Sequence, residues 1–479
     1  MTDHGTPDER NDGSHPRDVD AGSFKDPSSR VFVEGGTVYR ALDERAADDW
    51  LRLRDTRFFA NAVTAGRIIG TSDAPDVAPI DGPEWSRVVR HDTIPVITYP
   101  YEWTFSMLRD AALLQLELLL DALSEGMIMK DATPFNVQWR GPHPTFIDIG
   151  SFETLERGDV WVGYRQFLSQ YLYPLLLTSR TGLPFQPWLR GHPDGISADE
   201  LRRVMSAADL LRKGGLLHVA MPARAERRGS GGGRDVRSEL KEAGFSKAMI
   251  EANVKGLHKL VSRLAWHPGT SAWNRYATEC GHVHEQRSAK ADFVERAIGD
   301  RRYGTVWDVG ANDGHFSRLV ADRADSVLAL DADVATLDEL YRSLAADGPD
   351  NILPVVQDLA DPSPGLGWRG TERGPLSARS SPDLVLALAV VHHLVIGRNI
   401  PLGAVVSWLR DLDAAVILEF VSPDDPMVRA LTANKRPREV HRDYTEGALR
   451  AYLDGPFQIE HEVVLAGGTR TLFSLRPGE

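Results

Sequence analysis

The stretch Thr305-Val-Trp-Asp-Val-Gly-Ala-Asn-Asp-Gly-His-Phe-Ser317 constrains this chain more than any other. Val306, Trp307 and Val309 form a short apolar run of the kind a strand covered on both faces requires. Asp308 sits near its carboxyl end, and Gly310 and Gly314 let the backbone turn tightly and approach a ligand. Asn312 lies inside the turn, and a helix through Phe316, Leu319 and Val320 follows. A strand, a glycine-punctuated turn and a helix in this order make one wall of a ligand crevice in a parallel sheet. The spacing Asp308-x-Gly310-x-x-x-Gly314 is neither the Gly-x-Gly-x-x-Gly dinucleotide fingerprint nor a Walker loop, which would need both a Lys and a Ser/Thr.

The next segments extend the same pattern. Ser326-Val-Leu-Ala-Leu-Asp331 is a second apolar run ending in a carboxylate, and 331 − 310 = 21 residues is the separation a β-α-β unit needs. Asp331 could accept from two ribose hydroxyls or cap the following helix, a role open equally to Asp333. Ile352 to Leu359 supplies a third strand carrying Asp358 and Leu359 at its end. Asp383 to Val391 is a continuously apolar fourth run leading into His392-His393, and Ala414 to Val421 is a fifth, with Glu419 near its end. Phe457 to Leu465 and Arg470 to Leu475 complete the set as an antiparallel hairpin. Strands separated by helix-length segments predict an α/β, Rossmann-like doubly wound sheet.

This ordered set, from about Tyr303 to Leu475, resembles the class I S-adenosylmethionine (SAM) methyltransferases. Gly365-Leu-Gly-Trp368, Glu372-Arg373 and Ile417 to Met427 look most similar to a bacterial group related to rhizobial nodulation methyltransferases. The resemblance implies SAM as cofactor, held by Asp308, Gly310, Asn312, Gly314, Asp331, Asp358 and Leu359. Asp358 stands where that family accepts from the adenine amino group. His392 and His393 are the candidate bases, because an imidazole titrates near neutrality and lies where such sheets place reactive groups. Glu419 is the alternative base or substrate anchor.

A second constellation precedes this one: Met129-Lys130-Asp131-Ala-Thr-Pro-Phe-Asn136, then Thr145-Phe-Ile-Asp148-Ile-Gly150. It resembles the core of protein-kinase-like folds, an α+β architecture, with Asp131 and Asn136 five residues apart and Asp148 twelve further on. The resemblance implies ATP and magnesium, with Asp131 as proton acceptor and Asn136 and Asp148 as metal ligands. The amphipathic run Leu108 to Leu123 fits the long helix that supports such a loop. Met129-Lys130 replaces the family's His-Arg. Its phosphate-binding lysine is missing too; Arg40, in the hairpin Val31 to Leu42 around Gly35-Gly36, is the candidate substitute, though not an equivalent one.

Length and composition bound the rest. A chain of 479 residues suggests two or three domains, and a net charge of −13 argues against general nucleic-acid binding. The single Cys280 excludes an intrachain disulfide. No segment reads as a signal peptide or a membrane span, and a cytoplasmic setting is expected. The expected organisation is a disordered tail (1–29), a kinase-like domain (30–221), a Gly/Ser/Arg linker (222–236), a helical connector that could lid the cofactor (237–300), and the methyltransferase domain (301–479). In the connector, Met249, Val254, Leu257, Leu260, Val261 and Leu264 form a packing stripe. Trp273 and Tyr276 could close the site or simply pack. The readings left open are methyl transfer to an O or N atom of a small-molecule or glycan-like acceptor, a bifunctional kinase-methyltransferase, and a nucleotide-sensing SAM-binding scaffold without turnover. The oligomeric state is not legible.

Overall fold

The computed structural model describes residues 17–82, 84–156, 158–211, 216–220, 247–268, 283–436 and 441–478. The expected linker, Trp273, Tyr276 and Cys280 lie outside these residues.

The C-terminal half contains a seven-stranded sheet, and the N-terminal half a five-stranded one. In the N-terminal half, β1 (Asp18–Val19), β2 (Ser29–Glu34), β3 (Thr37–Leu42), β4 (Thr71–Asp73) and β5 (Arg87–His91) pair antiparallel in the order β1-β2-β3-β5-β4. Gly35 and Gly36, both at positive φ, turn β2 into β3. Asp18–Val19 thus form a strand within the stretch expected to be disordered. Asp18 and Val19 pair with Val33 and Phe32, because an edge strand offers any extended segment unused hydrogen-bonding groups.

Helix Phe105–Ser124 is the axis of this half. Leu108, Ala111, Gln115, Leu118, Leu119 and Ala122 are all fully buried, so it is packed on nearly every side rather than on one stripe. Short strands β6 (Met127–Met129), β7 (Val137–Arg140), β8 (His143–Phe146) and β9 (Phe152–Thr154) follow, pairing β6 with β9 and β7 with β8. The connector helix, Lys247–Val261, packs on Phe105–Ser124 through Ile250, Val254, Leu257 and Val261, and His258 meets Glu117 at 3.2 Å. This helix packs with the N-terminal half, and its buried stripe begins at Ile250; Met249 is exposed.

The second sheet comprises β10 (Tyr303–Val309), β11 (Ala324–Asp331), β12 (Ile352–Val356), β13 (Leu384–Ala387), β14 (Ala415–Val421), β15 (Phe457–Val464) and β16 (Arg470–Pro477). Their order is β12-β11-β10-β13-β14-β16-β15, with β10 to β14 parallel and β16 and β15 antiparallel. The expected hairpin closure is present. The fourth strand is shorter than expected: it stops at Ala387, Ala389 takes φ 55°, and a wide turn, His393–Gly397, follows. An apolar run records burial and not backbone direction, so the break left no mark in the sequence.

The halves share one hydrophobic cluster running from Leu42 through Leu118 and Trp139 to Tyr341 and Leu475. A polar seam crosses it. Asp338, buried on helix Val334–Asp347, accepts from the Ser106 amide (2.7 Å) and hydroxyl (3.0 Å), capping helix Phe105–Ser124 from the opposite half. Tyr341 donates to Asp110 (2.9 Å) and meets Trp139 edge-to-face at 5.6 Å. Arg379 pairs with the fully buried Glu102 and lies 4.4 Å from the Tyr99 ring centre. The β7–β8 turn comes so close that a Cβ on Gly141, at φ 55°, would fall 1.9 Å from the Asp350 carbonyl oxygen. Replacing Asp338 with Ala removes the acceptor for the buried Ser106 groups; we expect a loss of about 1–3 kcal/mol in urea unfolding. An unchanged midpoint would show that the cap carries no stability.

Candidate functional site: a glycine turn, a neutral histidine pair and a locked N-terminal centre

The turn after β10 is fastened to β11. Gly310 (φ 76°) and Ala311 both donate to the Leu330 carbonyl, at 2.8 and 3.0 Å. Asn312 (φ 51°) donates its amide to Asp331 Oδ2 at 2.9 Å. Gly314 (φ 73°) is required sterically, because a Cβ there would lie 2.5 Å from Leu340 Cδ1. Asp333, not Asp331, caps the next helix through the Ala335 and Thr336 amides. Asp331 is thereby left at the crevice, its Oδ1 taking the Asp333 amide at 2.9 Å, and each oxygen keeps acceptor capacity for a ribose hydroxyl.

Two of the expected cofactor contacts are otherwise engaged. Asp308 is 2% exposed and accepts from Ser317 at 2.6 Å, so it ties the first helix to its strand instead of facing a ligand directly. Asp358 accepts the Ala360 amide at 2.9 Å and pairs with Arg398, whose side chain is exposed and free to swing. Leu359 is half-buried against the core.

His392 and His393 lie with ring centres 4.0 Å apart. His392 is fully buried, and among the described residues neither ring nitrogen has a hydrogen-bond partner. Burial, with His393 and Arg470 adding repulsion, drives its pKa down to about 2. Burial and Arg470 lower His393 to about 4, and it stays half-buried. Both imidazoles are neutral at physiological pH, and His393 is the one with access to solvent.

Glu419 departs from the expected role of base. It is fully buried, with Lys290 Nζ 2.7 Å from one oxygen and Arg470 Nη1 3.1 Å from the other. Arg470 continues to Asp425 at 2.9 Å. Both Glu419 oxygens are thus engaged by cations whose charge the carboxylate offsets. Sequence reading missed Lys290, Arg470 and Asp425. The signal for Lys290 was its spacing: it precedes Phe293 and Val294 by three and four residues, on the apolar face of helix Val283–Ile298.

In the N-terminal half, Asn136 and Asp148 are brought together, with Asn136 Nδ2 donating to Asp148 Oδ2 at 3.2 Å. Asp131 is near enough to Asp148 that burial, reinforced by repulsion from it, raises the Asp131 pKa. Gln115, from helix Phe105–Ser124, donates to the Asp131 carbonyl at 3.0 Å and fixes the loop. The donors do not fit magnesium as they stand. Asp148 Oδ1 is 2.8 Å from Arg40 Nη1, and Oδ2 takes Ser151 at 2.6 Å as well as Asn136. Among the described residues no three His, Cys, Asp or Glu side chains converge as metal ligands.

The sheet order, the glycine turn after the first strand and the acid ending the second define the C-terminal half as a class I SAM-dependent methyltransferase. No family model matches the chain. It is 33% identical over 463 residues to nodulation protein NoeA of Rhizobium meliloti (strain 1021), covering 96% of each, and it belongs to the NoeA family. Over 173 residues it is 26% identical to the O-antigen chain terminator bifunctional methyltransferase/kinase WbdD of Escherichia coli, spanning 34% of this chain and 22% of that one. Among solved structures, N-methyltransferase NodS from Bradyrhizobium japonicum WM9 aligns with a TM-score of 0.30 at 10% identity, over 41% of this chain and 99% of NodS. No helix among the described residues is long and apolar enough to cross a membrane.

The pKa of Asp308 is pushed up to about 7 by burial, against the Ser317 hydrogen bond. The folded state thus holds this proton more tightly than the unfolded chain, so the group favours folding at low pH. That contribution is lost as pH rises from about 4 through about 7. Asp308→Asn, which cannot ionise, should therefore gain thermal stability relative to wild type between about pH 5 and about pH 8. A constant difference across that range would place the folded-state Asp308 pKa below it, near the unfolded value.

Proposed function

We propose that the C-terminal half transfers a methyl group from SAM to an O or N atom of a small-molecule or glycan-like acceptor, and that the kinase-like N-terminal half binds substrate or nucleotide. The observation that carries the SAM site is Asp331. Two backbone amides hold its carboxylate rigidly at the end of β11, beside a turn that only left-handed residues can make. The class of acceptor rests on the relative WbdD, whose name pairs a methyltransferase with a kinase on an O-antigen chain.

Bound SAM supplies an electrophilic methyl; the chain must align the acceptor with it and keep water out. Asp331 takes the ribose hydroxyls, the turn from Gly310 to Gly314 gives the cofactor close backbone approach, and Asp358 receives the adenine amino group once Arg398 shifts. His393 takes the acceptor's proton. Its low pKa makes it a weak base, but one that is unprotonated at every physiological pH. His392 stands behind it, and Glu419 pairs with Lys290 and Arg470 nearby.

Production of S-adenosylhomocysteine from SAM and a cell extract, above a no-extract control, tests the reaction. His393→Ala should lower kcat by about 10²-fold with SAM affinity unchanged. Its base limb in wild type should appear only as pH falls below about 5. Asp331→Ala should weaken SAM binding by about 1–3 kcal/mol in calorimetry. Normal turnover in His393→Ala would remove it from the mechanism. SAM binding with no product under any condition would favour the scaffold reading.

A further inference from the structure

The place where a phosphoryl-transfer centre holds its metal is filled here from within the chain. In such a centre the loop Asn and the Asp after the next hairpin offer oxygens to a divalent cation, which offsets their charge. Asp148 instead has a protein partner on each oxygen: Arg40 as an ion pair on Oδ1, and Ser151 and Asn136 as hydrogen-bond donors on Oδ2. Asn136 turns its nitrogen to the site, donating also to Ser151 Oγ at 3.1 Å. Arg40 is built into this position. It lies on β3 between Val31 of β2 and Val89 of β5, its Nη1 also reaches Ser29 Oγ at 3.2 Å, and its side chain is only 11% exposed. Ser29 in turn donates to Asp26, which faces Lys130 at 3.6 Å, so the sheet and the loop are laced together across the cleft. A guanidinium cannot lose its proton in a protein and cannot dissociate from the chain.

We propose that Arg40 is the resident cation of this centre and that the N-terminal half keeps its loop in place without a divalent metal. The proposal rests on the kinase-like reading only for naming the metal position; the ion pair stands by itself. Removing Arg40 would leave Asp148 anionic and largely buried beside the neutral donors Ser151 and Asn136, with Lys130 the remaining nearby cation, itself facing Asp26, and with the carboxylate of Asp131 close by. A divalent cation is the natural replacement for the lost charge. The rival arrangement has Arg40 leave Asp148 for a nucleotide phosphate whenever magnesium and nucleotide arrive together.

Thermal unfolding of the full chain separates these, with magnesium chloride alone and with magnesium plus ATP, each against sodium chloride of matched ionic strength. Wild type should be indifferent to both. Arg40→Ala should unfold at a lower temperature and recover several degrees in about 10 mM magnesium. Arg40→Ala/Asp148→Asn, in which the carboxylate that Arg40 pairs is gone as well, should lose most of that magnesium response. Should Arg40→Ala fail to fold in either medium, Arg40→Gln, which keeps a donor without the charge, is the variant to read. A magnesium-dependent rise in wild type that vanishes in Asp148→Asn overturns the proposal and leaves the kinase-like reading standing. No response in any variant overturns both.

Discussion

A helix that begins in one half of this protein is capped by the other. The first amides of Phe105–Ser124 are buried where water cannot reach them, so each needs a partner from the chain. Thr104 serves Met107, and Asp338 serves Ser106 across the seam. Much else hangs on this helix: Gln115 holds the loop of Asp131, and the connector helix lies against its flank. The partner helix, Val334–Asp347, starts at Asp333, two residues beyond the carboxylate assigned to the ribose. The two candidate sites are thus both attached to a single pair of packed helices.

Both sites also bury charge, and in both the charge is answered internally. Lys290, Glu419, Arg470 and Asp425 form a neutral chain under the histidine pair; Arg40 and Asp148 close the N-terminal centre. Buried ion pairs of this kind add little net stability, since desolvation opposes their attraction. Their effect is on geometry and on neighbours. Arg470 helps hold both imidazoles neutral at physiological pH, and His393 is the one of the pair that solvent reaches. Lys290 binds the helix before the sheet to a strand on the far side of the crevice, an attachment that apolar packing alone would leave free to slide.

The sheet was legible because parallel, doubly covered strands read as unbroken apolar runs, and because the separation of Gly310 from Asp331 fixes one β-α-β unit. Legibility failed where the backbone changes direction without changing composition, as after Ala387, and where a strand forms only because an edge is free, as at Asp18–Val19. It failed more instructively at Glu419, Asp358 and Asp148. Each is the residue type a reactive site demands, and each has a cation beside it that lies 40 or more positions away: Arg470, Arg398 and Arg40 stand 51, 40 and 108 residues off. A motif gives the identity of an acid but not what neutralises it. Lys290 is the exception, because a lysine on an apolar helical stripe announces a buried partner.

On the kinase-like reading of the N-terminal half, the difference between a metal and Arg40 is a difference in when the loop is ordered. A divalent ion organises its ligands only while bound, so a loop that depends on it is coupled to ligand concentration. A guanidinium on β3 organises the same residues at all times, with one positive charge instead of two and with no open coordination position for a phosphate oxygen. Phosphoryl-transfer electrostatics are given up and permanent order is gained. That exchange suits a half whose central helix is shared: the loop of Asp131 rests on Gln115, Gln115 belongs to the helix that Asp338 caps, and Asp338 belongs to the methyltransferase. A loop that melted whenever nucleotide left would loosen one side of the seam, whereas an internally neutralised loop keeps the methyltransferase braced whether or not the N-terminal cleft is filled.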